Sequence, residues 1–136
     1  MTWLVSIMNS VTETCVVSAP KTSVFQFLSD VENLPKWATQ FVKKVMIVNG
    51  KQKALTPFGE VFLKFETNEK AGIIDIYAGP TEDTMTAAFM RVIPFSPNST
   101  GITFTFFQYP NTDDKTWKIF GEWIKIEVEN IKKHFT

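Results

Sequence analysis

From Asp114 to about Phe135 the chain carries one unbroken apolar stripe, in which Trp117, Phe120, Ile124, Val128, Ile131 and Phe135 recur at spacings of three and four. Ile119, Trp123 and Ile126 form a second stripe beside it. Residues so spaced share one side of a 3.6-residue helix, so the pattern predicts a single long C-terminal helix. An apolar face this wide predicts a helix more than half covered by the rest of the chain. Asn111-Thr-Asp-Asp114 supplies the loop and cap before it. Glu129 and Lys133, four apart in the favourable order, add roughly a few tenths of a kcal/mol on the solvent side.

What this helix must cover is set by the stretch before it, where period two takes over from Phe41. Val42 to Val48 predicts a strand, and Asn49-Gly50 is the strongest short hairpin signal. Lys53 to Thr56 begins the return strand and Pro57-Phe-Gly59 turns it. Glu60 to Thr67 then alternates Val61, Leu63 and Phe65 with Glu60, Lys64 and Glu66. Asn68 to Gly72 reads as a turn, and Ile73 to Ala78, Met85 to Ile93 and Ile102 to Gln108 as strands separated by Gly79-Pro80 and Pro97-Asn-Ser-Thr-Gly101. Nearer the N-terminus, Val11 to Val17 is a further strand, ended by Ser18-Ala-Pro20, where a helix with Val24, Phe25 and Leu28 on its apolar face begins. Asp30 reads as the N-cap of a second short helix through Leu34, broken by Pro35 and anchored by Trp37.

Consecutive strands on short turns are antiparallel. A sheet of six to seven strands with one buried face twists and curls, and the long helix is the element able to cover it. The expected fold class is therefore α+β: a curved antiparallel sheet wrapped around a long C-terminal helix, with two short helices after the first strand.

At 136 residues the chain predicts one domain, residues 9–136, behind an N-terminal extension of residues 1–8 that is apolar yet too short for a signal sequence or a membrane span. Acidic and basic residues balance at fourteen each, which gives no electrostatic argument for nucleic acid or an anionic membrane as partner. Cys15 and His134 are the only residues of their kinds, so neither a disulfide nor a cysteine or multi-histidine metal site can be built. No glycine loop for phosphates and no nucleophile elbow is present, and no cofactor is expected. A lone cysteine is compatible with a reducing, cytoplasmic location.

Several stretches resemble a known superfamily. Val17-Ser-Ala-Pro-Lys-Thr-Ser-Val-Phe-Gln-Phe-Leu-Ser-Asp30, followed by Glu32-Asn-Leu-Pro-Lys-Trp37, resembles the first strand and helix pair of the START-like helix-grip fold. Arg91-Val-Ile-Pro94 before Thr103-Phe-Thr-Phe-Phe107, and the Glu127-to-Phe135 end of the long helix, match the same layout. That superfamily, also called SRPBCC, groups polyketide cyclases and dehydrases, lipid-transfer domains, pollen-allergen-like proteins and ATPase-activating co-chaperones. The resemblance covers roughly residues 9–135 and implies a pocket between sheet and helix. It is specific for fold and weak for function.

Two constellations are candidates for chemistry. Asp75 interrupts the apolar run Ile73-Ile-Asp-Ile-Tyr77, and Arg91 shares a strand face with Met85, Ala87 and Phe89. A hairpin centred near Asp83 would set Asp75 and Arg91 opposite each other, either as a pocket-wall pair that orients a ligand or as a structural salt bridge. With Tyr77 they are the catalytic candidates. The second constellation is an aromatic pocket lining of Trp37, Phe58, Tyr77, Phe89, Phe104, Phe106, Trp117, Phe120 and Trp123, with Ile124 from the helix and Gln108, Tyr77 and Thr56 as polar contributors; ordinary core packing is the alternative. Glu60 and Glu66 with Lys64 read as a solvated face, Glu122 and Glu127 point in different directions along the helix, and Cys15 reads as a small buried hydrophobe. His134, near the helix end, is placed to meet exposed carbonyls.

Three functions follow in order. The first is binding or carriage of a small apolar ligand, such as a lipid, polyketide, isoprenoid or aromatic metabolite. The second is a polyketide cyclase or dehydratase, in which Asp75, Arg91 or Tyr77 moves protons. The third is an interaction module without a ligand, forming a homodimer or docking on another protein through exposed apolar residues.

Overall fold

The computed structural model describes residues 9–136, so the expected N-terminal extension lies outside the described residues. The elements run β1 (Ser10–Val17), α1 (Lys21–Ser29), α2 (Leu34–Trp37), β2 (Lys44–Val48), β3 (Lys51–Thr56), β4 (Gly59–Asn68), β5 (Ile73–Gly79), β6 (Thr86–Ser96), β7 (Ser99–Phe107) and α3 (Asp114–His134). The seven strands form one antiparallel sheet in the order β1-β7-β6-β5-β4-β3-β2. β2 to β7 follow one another as a meander. β1 joins its far edge, with Ser10 opposite Phe107 and Val17 opposite Thr100. This is the α+β architecture expected from the sequence.

Local chemistry explains where elements start and stop. Asn49 and Gly50 both take positive φ, 53° and 76°, as a tight hairpin turn requires. Asp30 accepts a hydrogen bond from the Glu32 N–H at 3.0 Å, capping a single 3-10 turn over Val31–Asn33. The expected second helix is therefore in two pieces. Pro35 does not break it but sits in the first turn of α2, where an N–H is not needed. Pro20, likewise, stands just outside α1 as its N-cap. Asp113 caps α3 by accepting from the Thr116 N–H at 2.8 Å.

The β6–β7 hairpin is longer than its sequence suggests, since Ser96 pairs with Ser99 and only Pro97-Asn98 turns. Gly101 is not a turn residue. It lies in β7 under the Phe95 ring, where an added Cβ would come within 2.6 Å of that ring. Met85 precedes β6 rather than belonging to it.

Alternation divides the sheet into two faces. Ile74, Met90 and Phe104 stand in one row and Ile76 pairs with Ala88, all on the face toward the helices. Asp75, Phe89, Thr105 and Thr12 form a row on the opposite face. α3 packs across β1 and β7 and against α2, and α1 rests on β6 and β7. The second half of α3 does the packing, through the buried Ile124, Val128 and Ile131. Each such side chain contributes about 1.5–3 kcal/mol by leaving water. Ile126, expected on a covered stripe, is 44% exposed, so the helix buries a narrower face than its composition suggests. His134, in the last turn of α3, stacks on Phe27, ring centroids 3.8 Å apart.

Candidate functional site

Between α3 and the sheet a cavity of about 140 Å³ remains, partly open to solvent. Its sheet wall comes from the helix-facing residues Leu63, Ile76, Ala78, Ala88, Phe104 and Phe106. Two of these are alanines, and the space follows from their missing side-chain volume. Opposite them stand Trp37, Ala38, Phe41 and Val42 from α2 and the segment after it, and Phe120, Trp123 and Glu127 from α3. Aromatic packing holds the wall: Trp37 meets Phe104 edge-on at 5.5 Å, and Phe104 meets Phe106 at 5.0 Å. At the rim, Phe58 from the β3–β4 turn is 56% exposed and lies 6.0 Å from Phe120 and 5.9 Å from Trp123.

Glu127 is the polar centre of this wall. Only 1% of it is exposed, and its Oε2 accepts hydrogen bonds from the backbone N–H groups of Gln40 at 3.2 Å and Phe41 at 3.0 Å. Burial pushes its carboxyl up from 4.5 to about 7, opposed by those two hydrogen bonds and by the charge of Lys43. Glu127 is no partner for Glu122, which points another way along the helix, and that pairing gives no hint of its role. The signal was present, since Glu127 is three residues after Ile124 and four before Ile131, within the apolar stripe. Trp37, also 1% exposed, carries the one buried side-chain polar atom without a hydrogen-bond partner among the described residues, its Nε1. Tyr109 reaches the cavity too, its hydroxyl donating to the Ala87 carbonyl at 2.8 Å; burial raises that phenol's pKa.

Of the lining expected from sequence, Trp37, Phe104, Phe106, Phe120 and Trp123 come together here, and Phe58 stands at the rim. Ile124 is buried in the core beside the cavity, and Trp117 is half-buried on the helix without reaching it. Gln108 is buried but spent on structure: its Nε2 donates to the Thr112 carbonyl at 3.1 Å and to Asp114 at 2.9 Å, and its Oε1 accepts from Asn9. Thr56 closes the β3–β4 turn by donating to the Gly59 carbonyl at 2.8 Å.

Tyr77, Phe89, Asp75 and Arg91 stand on the sheet face away from the cavity. Asp75 lies opposite Phe89 and Arg91 opposite Ile73, so the two charges are diagonal neighbours rather than directly paired. The hairpin centre falls one residue earlier than the sequence pattern implied, because a 3-10 turn at Glu82–Thr84 fills the bend. Arg91 Nη1 still reaches Asp75 at 2.8 Å and also donates to the Met90 carbonyl. Asp75 faces the like charge of Glu66 across the next strand pair, and each acid has its own base, Arg91 for Asp75 and Lys64 at 3.3 Å for Glu66. Arg91 and Phe89 instead line a shallow groove on that outer face with Thr103, Thr105 and Phe107. Cys15 is half-buried, and burial raises its thiol pKa, as suits a small hydrophobe rather than a nucleophile.

No protein-family model and no curated protein matches the sequence. Solved structures do match the fold. XoxI from Bacillus cereus superposes with a TM-score of 0.72 at 13% identity, over 94% of this chain and 96% of that one. A START superfamily protein from Mycobacterium smegmatis gives 0.66 at 15% identity, over 93% and 96%. A Thalictrum norcoclaurine synthase point mutant, solved with a transition state analogue, gives 0.66 at 15% identity, over 96% of both chains. The di-domain ARO/CYC protein BexL gives 0.68 at 15% identity, over 93% of this chain and 46% of that one. With its seven-stranded curved sheet closed by one long C-terminal helix, this chain has the helix-grip fold of the START-like superfamily.

Proposed function

We propose that the protein binds a small apolar molecule, one ring in size, in the cavity between the sheet and α3. The carrying observation is the cavity itself, about 140 Å³ and walled by rings and alanines. An engineered apolar cavity of about 150 Å³ is enough to take benzene. The sheltered part of that space matches a single ring, which favours the aromatic-metabolite end of the ligand range. Structural neighbours named as an ARO/CYC protein, a norcoclaurine synthase in complex with a transition state analogue and a START superfamily protein support a ligand-holding role. Titration of toluene into isotope-labelled protein, followed by NMR, tests the reading. Expected are shifts confined to Trp37, Phe104, Phe120 and their neighbours, and abolished by Ala88→Leu, which fills the space from the sheet side. Binding that survives in a folded Ala88→Leu variant would place the ligand elsewhere.

A further inference from the structure

We propose that the molecule held in the cavity is a single-ring amine, bound as its ammonium ion with Glu127 as counter-ion and the Trp123 ring beside it. The inference rests on the reading of the cavity as a one-ring site and adds the charge that the ring must carry. Glu127 is the only charged side chain on a wall that is otherwise apolar or aromatic, save for Thr86 and Thr112. A buried carboxylate ordinarily has a cation beside it. Among the described residues no lysine or arginine forms an ion pair with Glu127. Lys43, the one cation acting on it, spends its Nζ on the Thr39 carbonyl at 3.0 Å. Both hydrogen bonds to Glu127 end on Oε2, and Oε1 accepts none among the described residues. Oε1 is not sealed either, since Trp37 Nε1 is the one buried side-chain polar atom left without a partner there. The open space that Glu127 borders is the cavity.

The surroundings of that carboxylate suit a cation. Trp123 precedes Glu127 by four residues, so the two stand one turn apart on the same face of α3, and both line the cavity. Phe41, whose N–H holds Oε2, sets its ring 6.4 Å from Trp123 and 6.4 Å from Phe120. Aromatic rings draw an organic cation to their negative faces, an indole most strongly, while the carboxylate supplies the opposite charge. A carboxylate ligand would meet the like charge of Glu127. An alcohol would give Oε1 a hydrogen bond without a charge, and a hydrocarbon would give it neither. Burial supports the same assignment by keeping part of the Glu127 population protonated near neutral pH, its carboxyl standing at about 7. An ammonium ion entering the cavity displaces that proton to solvent, so the O–H bond breaks and an ion pair without net charge takes its place. Tyr109 is the other titratable group on the wall, and burial raises its phenol further above neutral pH, so Glu127 is the group that titrates there.

The test is NMR titration of the wild-type protein with toluene, benzyl alcohol, benzylamine and benzoate at about pH 8 and about pH 6. At the higher pH benzylamine is expected to bind roughly tenfold or more tighter than benzyl alcohol or toluene, as a charge-assisted hydrogen bond adds to the same ring. Benzylamine stays an ammonium ion at both pH values, so its affinity should fall about tenfold at the lower one, where Glu127 holds its proton, while that of toluene changes little. In Glu127→Gln, whose amide keeps the Gln40 and Phe41 hydrogen bonds, benzylamine should bind no tighter than benzyl alcohol at either pH, and toluene should still bind. Equal affinity for toluene and benzylamine, or a benzylamine preference that survives in Glu127→Gln, overturns the counter-ion assignment and leaves the one-ring cavity standing. Tighter binding of benzyl alcohol or benzoate than of benzylamine overturns the amine. Binding of none of the four overturns the one-ring reading as well.

Discussion

At Glu127 burial and backbone hydrogen bonding pull one carboxyl in opposite directions, and burial wins. Its folded pKa, about 7, lies above the ordinary 4.5, so between those values the folded protein holds a proton that the unfolded chain releases. The stability tied to that proton is complete below the unfolded pKa and is lost as pH rises through the folded one, a total of about 3 kcal/mol. Urea unfolding at several pH values should show wild-type protein losing stability toward pH 8 relative to Glu127→Gln, whose amide keeps the Gln40 and Phe41 hydrogen bonds. Parallel profiles for the two proteins would mean that the carboxyl is not desolvated. Arg91 belongs to the other side of the scale. With its side chain 40% exposed and that of Asp75 17% exposed, the pair is screened by water and contributes less than about 1 kcal/mol. Arg91→Met should lower the melting temperature by at most a few degrees and leave toluene affinity unchanged; lost binding would return Arg91 to the site. Both residues are plain in the sequence, but their roles are exchanged in the fold. A charge inside an apolar run marks a pocket only if the run's partner strands turn that face inward, and for Asp75 they turn it outward.

At the scale of elements, turn chemistry carries the specificity. Gly72 has φ +68°, and a Cβ there would meet the Val92 carbonyl oxygen. The Gly72 carbonyl in turn accepts from the Val92 N–H at 2.8 Å, tying the β4–β5 turn to β6. Gly72→Ala should therefore cost more than about 2 kcal/mol in urea unfolding, combining left-handed strain with a backbone clash. A change below about 0.5 kcal/mol would mean that the turn relaxes freely. The helix and strand types were legible because Asn49-Gly50, Asp30 and the stripe from Trp117 to Phe135 act through local geometry. Element limits were less so: Gly101 reads as a turn until Phe95 is seen lying across it.

For the whole molecule, the sheet is held at its centre and free at one edge. β5, β6 and β7 each have partners on both sides, and their helix-facing residues Ile74, Met90, Val92 and Ile102 are buried. β2 is a five-residue edge strand with no buried residue. Native-state hydrogen exchange should find the slowest amides in β5 to β7 and markedly faster exchange in β2, since an edge can fray without opening the core. Equal protection across the sheet would indicate that β2 is covered by another chain. The cavity is also a property of the whole. It lies where α3, anchored on β1, β7 and α2, faces the small side chains of Ala78 and Ala88 across the sheet.

By itself the sequence determined what depends on neighbours along the chain: the order of strands and helices, the antiparallel sense of the sheet, the long amphipathic helix, and the absence of thiol or histidine chemistry beyond single residues. The aromatic half of the site was also within reach, because Trp37, Phe104, Phe106, Phe120 and Trp123 alternate or recur with the buried positions of their elements. Only the tertiary structure decided which sheet face the polar residues occupy, since a shift of hairpin register or bend changes what stands across from Asp75 without changing any local pattern. It also decided that Glu127, a routine charged residue on a helix, is sealed against the Gln40–Phe41 backbone and shares a cavity wall with Trp37. The cost of burying a charge and the partners that offset it depend on groups 86 and 87 residues away in the chain, which no local pattern encodes.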